Sequence, residues 1–136
     1  MMKDHAVLVL KNQDKILFVK RSLKKKGLPG LWSFPSGTVE EGEAIYDTIL
    51  REAKEELAVE VQPQSIFAKR ALPELSVQLH FVLCNIIKGN VIINEPDEID
   101  RLEWMTFSDF FKRFSDAEIG HGLIWLRKNP QIWENL

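Results

Sequence analysis

The amino-acid sequence predicts an α/β (α+β) fold: a mixed β-sheet flanked by helices, formed as one domain over residues 1–136. Three observations carry this expectation. Apolar runs of strand length lie on both sides of a single strongly periodic segment. That segment, Glu43 to about Leu57, repeats its apolar residues every four positions. A chain of 136 residues suits one hydrophobic core.

The elements follow in order. Ala6 to Leu10 is the first apolar run, Asn12 to Lys15 reads as a turn, and Ile16 to Val19 as a second strand, which makes a hairpin or meander. Lys20 to Lys26 holds five basic residues in seven, and Gly27, Pro29 and Gly30 follow it, so a loop is expected. Trp32 to Phe34 is a short apolar piece ending at Pro35. Ile45, Ile49, Ala53 and Leu57 then build one stripe of a helix, with Gly42 as the candidate N-cap and Glu43 in the first turn, where an acid suits the helix dipole. Pro63 blocks continuation. Ser65 to Ala68 and Val77 to Ile87 are strand-like. Gly89-Asn90 signals a hairpin between Ile87 and Val91. Ile99 to Met105 reads as a last strand, followed by short helices over Ser108 to Phe114 and Ile119 to Lys128, the second closed by Pro130. Trp104, Trp125 and Trp133 are core candidates.

Composition narrows the function. Net charge is −2, from 18 basic and 20 acidic residues, so the chain has no general attraction for nucleic acid or an anionic membrane. An anionic ligand must be held by local features. Cys84 is the only cysteine, which rules out an intrachain disulfide, and its apolar setting reads as a small buried hydrophobe. The first ten residues are too short an apolar stretch for a signal peptide, and no run approaches the ~20 apolar residues that span a bilayer. A cytoplasmic protein is the expectation. No internal repeat or low-complexity segment is present.

The chemistry concentrates in Gly37-Thr-Val-Glu-Glu-Gly-Glu43 and Arg51-Glu-Ala-Lys-Glu-Glu56. Glu52, Glu55 and Glu56 lie three and four apart, so on a helix they share one face. At about 100° per residue the apolar stripe is turned roughly a quarter turn away from them. A solvated face with Lys54 and Arg51 nearby is the plain alternative for such a charge run. The functional reading is a hard-cation site: Mg²⁺ takes oxygen ligands and phosphate oxygens together.

This segment resembles the Nudix box, G-x5-E-x7-R-E-U-x-E-E-x-G-U with U a bulky apolar residue. The matching positions are Gly37, Glu43, Arg51, Glu52, Glu55, Glu56 and Val59, with the smaller Ala53 at the first U. Ala58 stands where the pattern has glycine, a departure that puts the helix exit in question, because a residue there with positive φ costs on the order of 1 kcal/mol without glycine. Upstream, Leu31-Trp-Ser-Phe-Pro-Ser-Gly37 is similar to the family's W-x-F-P-G-G lead-in, with Ser36 replacing one glycine, and Lys15 to Arg21 looks like its second strand.

The resemblance implies the Nudix α/β/α sandwich. It also implies Mg²⁺, with Mn²⁺ as substitute, held by Glu52, Glu55 and Glu56 and by the carbonyl of Gly37. Arg51 is implied to orient the carboxylates through Glu43, a supporting task. Glu52 is the first choice as general base, with Glu98 as the candidate outside the box. Arg21, Phe34 and His80 are the candidate substrate contacts. Phe67, Arg70 and Leu72 sit in segments that often line the family's nucleotide pocket. For His80, alternation puts Gln78 on its face and Val77, Leu79 and Phe81 on the other. Lys24 to Lys26 are read as a solvated loop, and His5 and His121 receive no role.

The implied reaction is attack of an activated water on one phosphorus of a diphosphate linkage in a nucleotide. The single tyrosine, Tyr46, lies inside the box, which argues against a dinucleoside-polyphosphate hydrolase. The short chain resembles a MutT-type nucleoside triphosphate pyrophosphohydrolase, including those acting on oxidised or other non-standard nucleotides. The runner-up is an ADP-ribose or nucleotide-sugar pyrophosphatase, to which Pro73 gives slight support. A nucleotide-binding sensor without turnover is the non-enzymatic alternative, and retention of all three box glutamates speaks against it. The expected partner is a small nucleotide, with no membrane and no stable nucleic-acid partner. Homodimerisation is left open.

Overall fold

A computed structural model describes residues 1–136. Strand β1 (Lys3–Asn12) turns at Gln13 and Asp14 into β2 (Lys15–Arg21). The two strands pair only at that turn, Lys11 with Ile16 and Asn12 with Lys15, and then splay apart. The short strands β3 (Trp32–Ser33) and β4 (Ser36–Thr38) fill the opening, β3 on β2 and β4 on β1. Pro35 lies between them. The splay divides the strands into two groups. On one side β1 runs parallel to β6 (Val77–Lys88), which pairs antiparallel with β5 (Glu60–Leu72). On the other, β2 pairs antiparallel with β7 (Ile99–Met105).

Helix α1 (Ile45–Leu57) covers one face, and α2 (Phe107–Arg113) and α3 (His121–Lys128) cover the other. Alternation along β1 explains the two cores. Ala6, Leu8 and Leu10 point to α1 and pack with Ile49, Ala53 and Leu57. Val7 and Val9 point to the opposite core, where Phe18, Phe34 and Phe81 meet α2 and α3. The second core is largely aromatic. Phe18 stacks on Phe110 with centroids 3.9 Å apart, and Trp32 lies 5.0 Å from Phe114. The mixed sheet between helices expected from the sequence is present, and Cys84 is buried among apolar side chains.

Several local expectations are corrected. The N-cap of α1 is Ala44, not Gly42. Glu43 therefore precedes the helix, and the first-turn acid is Asp47, whose carboxylate accepts the Ala44 N–H at 3.0 Å. Gly42 instead takes a φ of +85° in the preceding turn. Strand β5 is far longer than Ser65–Ala68, starting at Glu60 and absorbing Pro63 beside a register shift. No hairpin forms between Ile87 and Val91. Gly89 does turn the chain, with φ +98°, but residues 91–98 then lie against the end of α1. There Ile92 N–H donates to Leu57 O (3.1 Å) and Asn94 N–H to Glu56 O (2.9 Å). These bonds satisfy carbonyls that the helix end leaves free, and they carry Glu95 and Glu98 toward the box glutamates. His121 is the first residue of α3.

Candidate active site

The site forms where the splay of β1 and β2 meets the side of α1. Strand β4 presents Gly37 beside the helix, opposite Ala6. A Cβ on Gly37 would lie 2.2 Å from Glu52 Oε1 and 2.6 Å from its Cγ, so the glycine is required by close approach of the Glu52 side chain. Glu52 lies at the edge of the core with its side chain 13% exposed. Glu56, one turn on, is buried at 6%. The solvated helix face therefore does not form at these two positions, although Glu55 is half exposed.

Arg51 organises the outer part. Its Nε donates to Glu43 Oε2 (2.9 Å) and its Nη2 to Glu43 Oε1 (3.0 Å), a two-pronged pair that matches guanidinium to carboxylate geometry. Nη2 also donates to Thr38 O (3.2 Å), which ties β4 to the helix. Nη1 donates to Glu52 Oε1 at 2.8 Å and reaches Glu55 Oε2 at 3.5 Å. The bonds from Arg51, with the Glu40 N–H next, hold the Glu43 carboxyl down at about 2, so it is ionised at any working pH. Glu43 in turn raises Arg51.

Glu56 has the opposite environment. Its Oε2 is buried without a hydrogen-bond partner. Burial first, then repulsion from Glu52, Glu98 and Glu95, push its carboxyl up to about 9, against a smaller opposing effect of Lys25. Burial also raises Glu52, although Arg51 opposes it, and Glu95 is raised by burial and by Glu98. A buried acid with an orphaned oxygen, facing other acids, is an arrangement a cation would relieve. The chemistry of the donor set fits a divalent ion: carboxylate oxygens of Glu52, Glu55 and Glu56, beside the Gly37 backbone. These carboxylates are not gathered into a finished shell, since no three acidic, histidine or cysteine side chains converge on one point. Arg51 holds Glu52 and reaches Glu55 in this conformation, so binding would require them to turn from it.

A cavity of about 330 Å³ opens on the opposite face of β1 and β6. Leu72, Val77, Leu79 and Phe81 form apolar wall, and His5, Arg21, Ser33, Ser36 and His121 supply polar groups. Few polar groups on a mostly apolar concavity suit an aromatic heterocycle such as a nucleobase. Arg21 connects the cavity to the acids. It borders the cavity, its charge is felt by Glu98 and Glu56, and its Nε and Nη2 donate to Gly27 O at 2.9 and 2.7 Å.

The sequence-derived residues distribute as follows. Glu52, Glu55, Glu56, Arg51, Glu43 and Gly37 are brought together on α1 and β4. Glu98 lies within electrostatic reach of Glu56 and forms an ion pair with Lys25. Arg21 and Phe34 border the cavity, the Phe34 ring also stacking on Phe18 at 5.4 Å. His80 does not border it. Its Nε2 lies 2.9 Å from Asp4 Oδ1, a polar partner for a largely buried histidine on the sheet. Of the other pocket candidates Leu72 lines the cavity, whereas Arg70 lies over the Trp125 ring. His5 and His121, given no role from sequence, both line it. A Cβ on Gly122 would press on Phe81 and Leu79 at 3.2 and 3.3 Å, so the glycine lets the start of α3 approach the cavity wall. Lys25 also departs from a free loop, being paired with Glu98.

A family model described as the NUDIX domain matches residues 2–124. The chain is 30% identical over 109 residues to Nudix hydrolase 2 of Arabidopsis thaliana, covering 77% of this chain but only 39% of that relative. Among solved structures, a NUDIX hydrolase from Nitrosomonas europaea superposes with TM-score 0.75 at 16% identity, over 96% of this chain and 89% of that one. An ADP-ribose pyrophosphatase from Streptococcus suis superposes with TM-score 0.64 at 26% identity, over 80% of this chain and 77% of that one.

Proposed function

The chain belongs to the NUDIX family, and from that premise we propose that it is a divalent-metal-dependent hydrolase of diphosphate linkages in nucleotides. The preferred substrate is a nucleoside triphosphate, standard or oxidised, cleaved to nucleoside monophosphate and pyrophosphate. The observation that carries this reading is the buried Glu56 with its unpartnered oxygen, one helical turn from Glu52 and connected by Arg21 to an apolar cavity.

Each residue then has a task. Glu52, Glu55 and Glu56, with the Gly37 carbonyl, would hold Mg²⁺ or Mn²⁺. When bound, the cation supplies charge neutralisation at the phosphates and a lowered pKa for the attacking water. Glu52 receives the water's proton, with Glu98 as the alternative acceptor on the facing segment. Arg51, fixed by Glu43, sets the orientation of Glu52 and touches no substrate atom. Arg21 donates to a phosphate oxygen between the two halves of the site. The base lies against Phe34 and the apolar cavity wall.

ADP-ribose or a nucleotide sugar is the second reading, favoured by the 26% identity to the ADP-ribose pyrophosphatase from Streptococcus suis. A panel of nucleoside triphosphates, oxidised nucleotides, ADP-ribose, nucleotide sugars and dinucleoside polyphosphates, each with Mg²⁺, Mn²⁺ and chelator, separates them. Metal-dependent pyrophosphate and monophosphate from a triphosphate is the expected product pair. Two monophosphates from ADP-ribose would promote the second reading. Nucleotide-dependent stabilisation without turnover of any compound would replace both with the sensor.

A further inference from the structure

Leu28, in the loop between β2 and β3, combines three features that a surface loop ordinarily avoids. Its φ is +51°, in the left-handed region, where a Cβ crowds the backbone. It precedes Pro29, and a residue before proline favours extended backbone. It is apolar yet 38% exposed. Gly27 and Gly30 stand close by, but the strained position itself holds leucine. The surrounding bonds enforce this conformation. Arg21 Nε and Nη2 donate to Gly27 O at 2.9 and 2.7 Å, the Gly30 N–H donates to Arg21 O at 3.1 Å, and the Arg21 N–H donates to Leu31 O at 2.9 Å. Arg21 thus grips the loop on both sides of Leu28. Of the four non-glycine residues with positive φ, only Leu28 borders the cavity of about 330 Å³. A second leucine has a similar setting. Leu75 is 50% exposed, borders the same cavity from the turn between β5 and β6, and precedes Ser76, whose φ is +53°. Neither leucine belongs to the two cores. Strain that the fold maintains beside a cavity points to a task there.

We infer that Leu28 and Leu75 are substrate-selecting residues, an apolar clamp at the cavity rim that packs on the nucleobase. This rests on the nucleotide reading given under Proposed function. A flat heterocycle against two leucines removes apolar surface of both partners from water. A sugar in the same place would leave hydroxyls unpaired against the leucines, so the clamp favours a base at this end of the substrate. Glycine at position 28 would relax the backbone but offer the base no surface. Arg21 links the clamp to the phosphates, because the residue that fixes the Leu28 loop is the one assigned to a phosphate oxygen.

The test is titration calorimetry in Mg²⁺ with two probes: a non-hydrolysable nucleoside triphosphate analogue, and inorganic tripolyphosphate, which lacks the base. Wild type is compared with Leu28→Ala, Leu28→Gly, Leu28→Met and Leu75→Ala. Leu23→Ala is the control, an exposed leucine of the same loop that does not border the cavity. Truncation at 28 or 75 should weaken binding of the nucleotide analogue about five- to tenfold and leave tripolyphosphate unchanged. Leu28→Met, which keeps the apolar bulk, and Leu23→Ala should match wild type. Leu28→Gly should melt about 2–5 °C above Leu28→Ala, because glycine relieves the left-handed backbone, and yet bind the analogue as weakly. Nucleotide affinity unchanged by truncation, or tripolyphosphate weakened equally, would overturn the clamp while leaving the metal reading intact. Failure of wild type to bind either probe would overturn both.

Discussion

Replacing Glu56 by glutamine should make the metal-free protein more stable and the enzyme nearly inactive. The cause lies in the buried carboxyl. In the folded chain it is pushed up to about 9, from an ordinary 4.5. Between those values the folded state keeps a proton that the unfolded state has released, so stability falls as pH rises through this window. At pH 7.5, about three units above the ordinary value, the folded acid still keeps its proton while the unfolded one is ionised, and at about 1.36 kcal/mol per unit the burden is about 2–4 kcal/mol. Glutamine has the same shape without the titration, so it removes that burden. For a chain of this size the melting temperature should rise by about 6–12 °C at pH 7.5 in chelator. At pH 4.5 wild type and variant should melt together. Thermal denaturation by circular dichroism from pH 4.5 to 8.5, with chelator and with 5 mM-range Mg²⁺ (~mM, in excess of a weak site), reads the effect directly. Mg²⁺ should raise the wild-type melting temperature and leave the variant's nearly unchanged, and turnover should fall by about 10²-fold or more. A variant with the wild-type pH slope and no gain at pH 7.5 would refute the reasoning.

Other substitutions probe the frame around this acid. Ala58 has φ +58° at the exit of α1, so Ala58→Gly should stabilise the protein by about 1 kcal/mol in urea denaturation without changing kcat. Gly37→Ala places a Cβ on the Glu52 carboxylate and must displace it, so activity should fall at least about tenfold while Mn²⁺ binding weakens in parallel. Arg51→Lys keeps the charge but cannot reproduce the fork onto Glu43 together with the bond to Glu52. Its kcat should fall about 10- to 100-fold with little change in KM, as expected of a residue that positions another.

The parts of this protein that can be read from sequence are those fixed by short-range geometry. The α1 stripe and its glutamates are a spacing pattern on one helix, and spacing survives whatever the rest of the chain does. The pairing of Arg51 with Glu43 spans eight residues and belongs to the same local unit. What escaped depends on distant partners. Gly89 makes the turn its sequence signals, but the next residues find free carbonyls on α1 and no strand. Strand β5 is edge-like and partly polar, with Gln62, Gln64 and Lys69 in it, so its hydrophobic pattern understates its length. His80 and Lys25 were decided by the other strand and loop each faces, Asp4 and Glu98, 76 and 73 residues away. The burial of Glu56 is the largest departure, because helical periodicity locates a face but not the segment after β6 that lies over its end.

Glu52 and Glu56 are proposed to hold a divalent cation whose nucleotide ligand occupies the cavity beside Arg21. A crystal structure with Mn²⁺ and a non-hydrolysable nucleoside triphosphate analogue tests it most directly, with the metal located by anomalous scattering. The expected result is an anomalous peak about 2.0–2.3 Å from oxygens of Glu52 and Glu56, the base against Phe34 and Leu79, and Arg21 on a phosphate oxygen. A metal bound elsewhere, or a nucleotide outside the cavity with Glu56 still unpartnered, would contradict it.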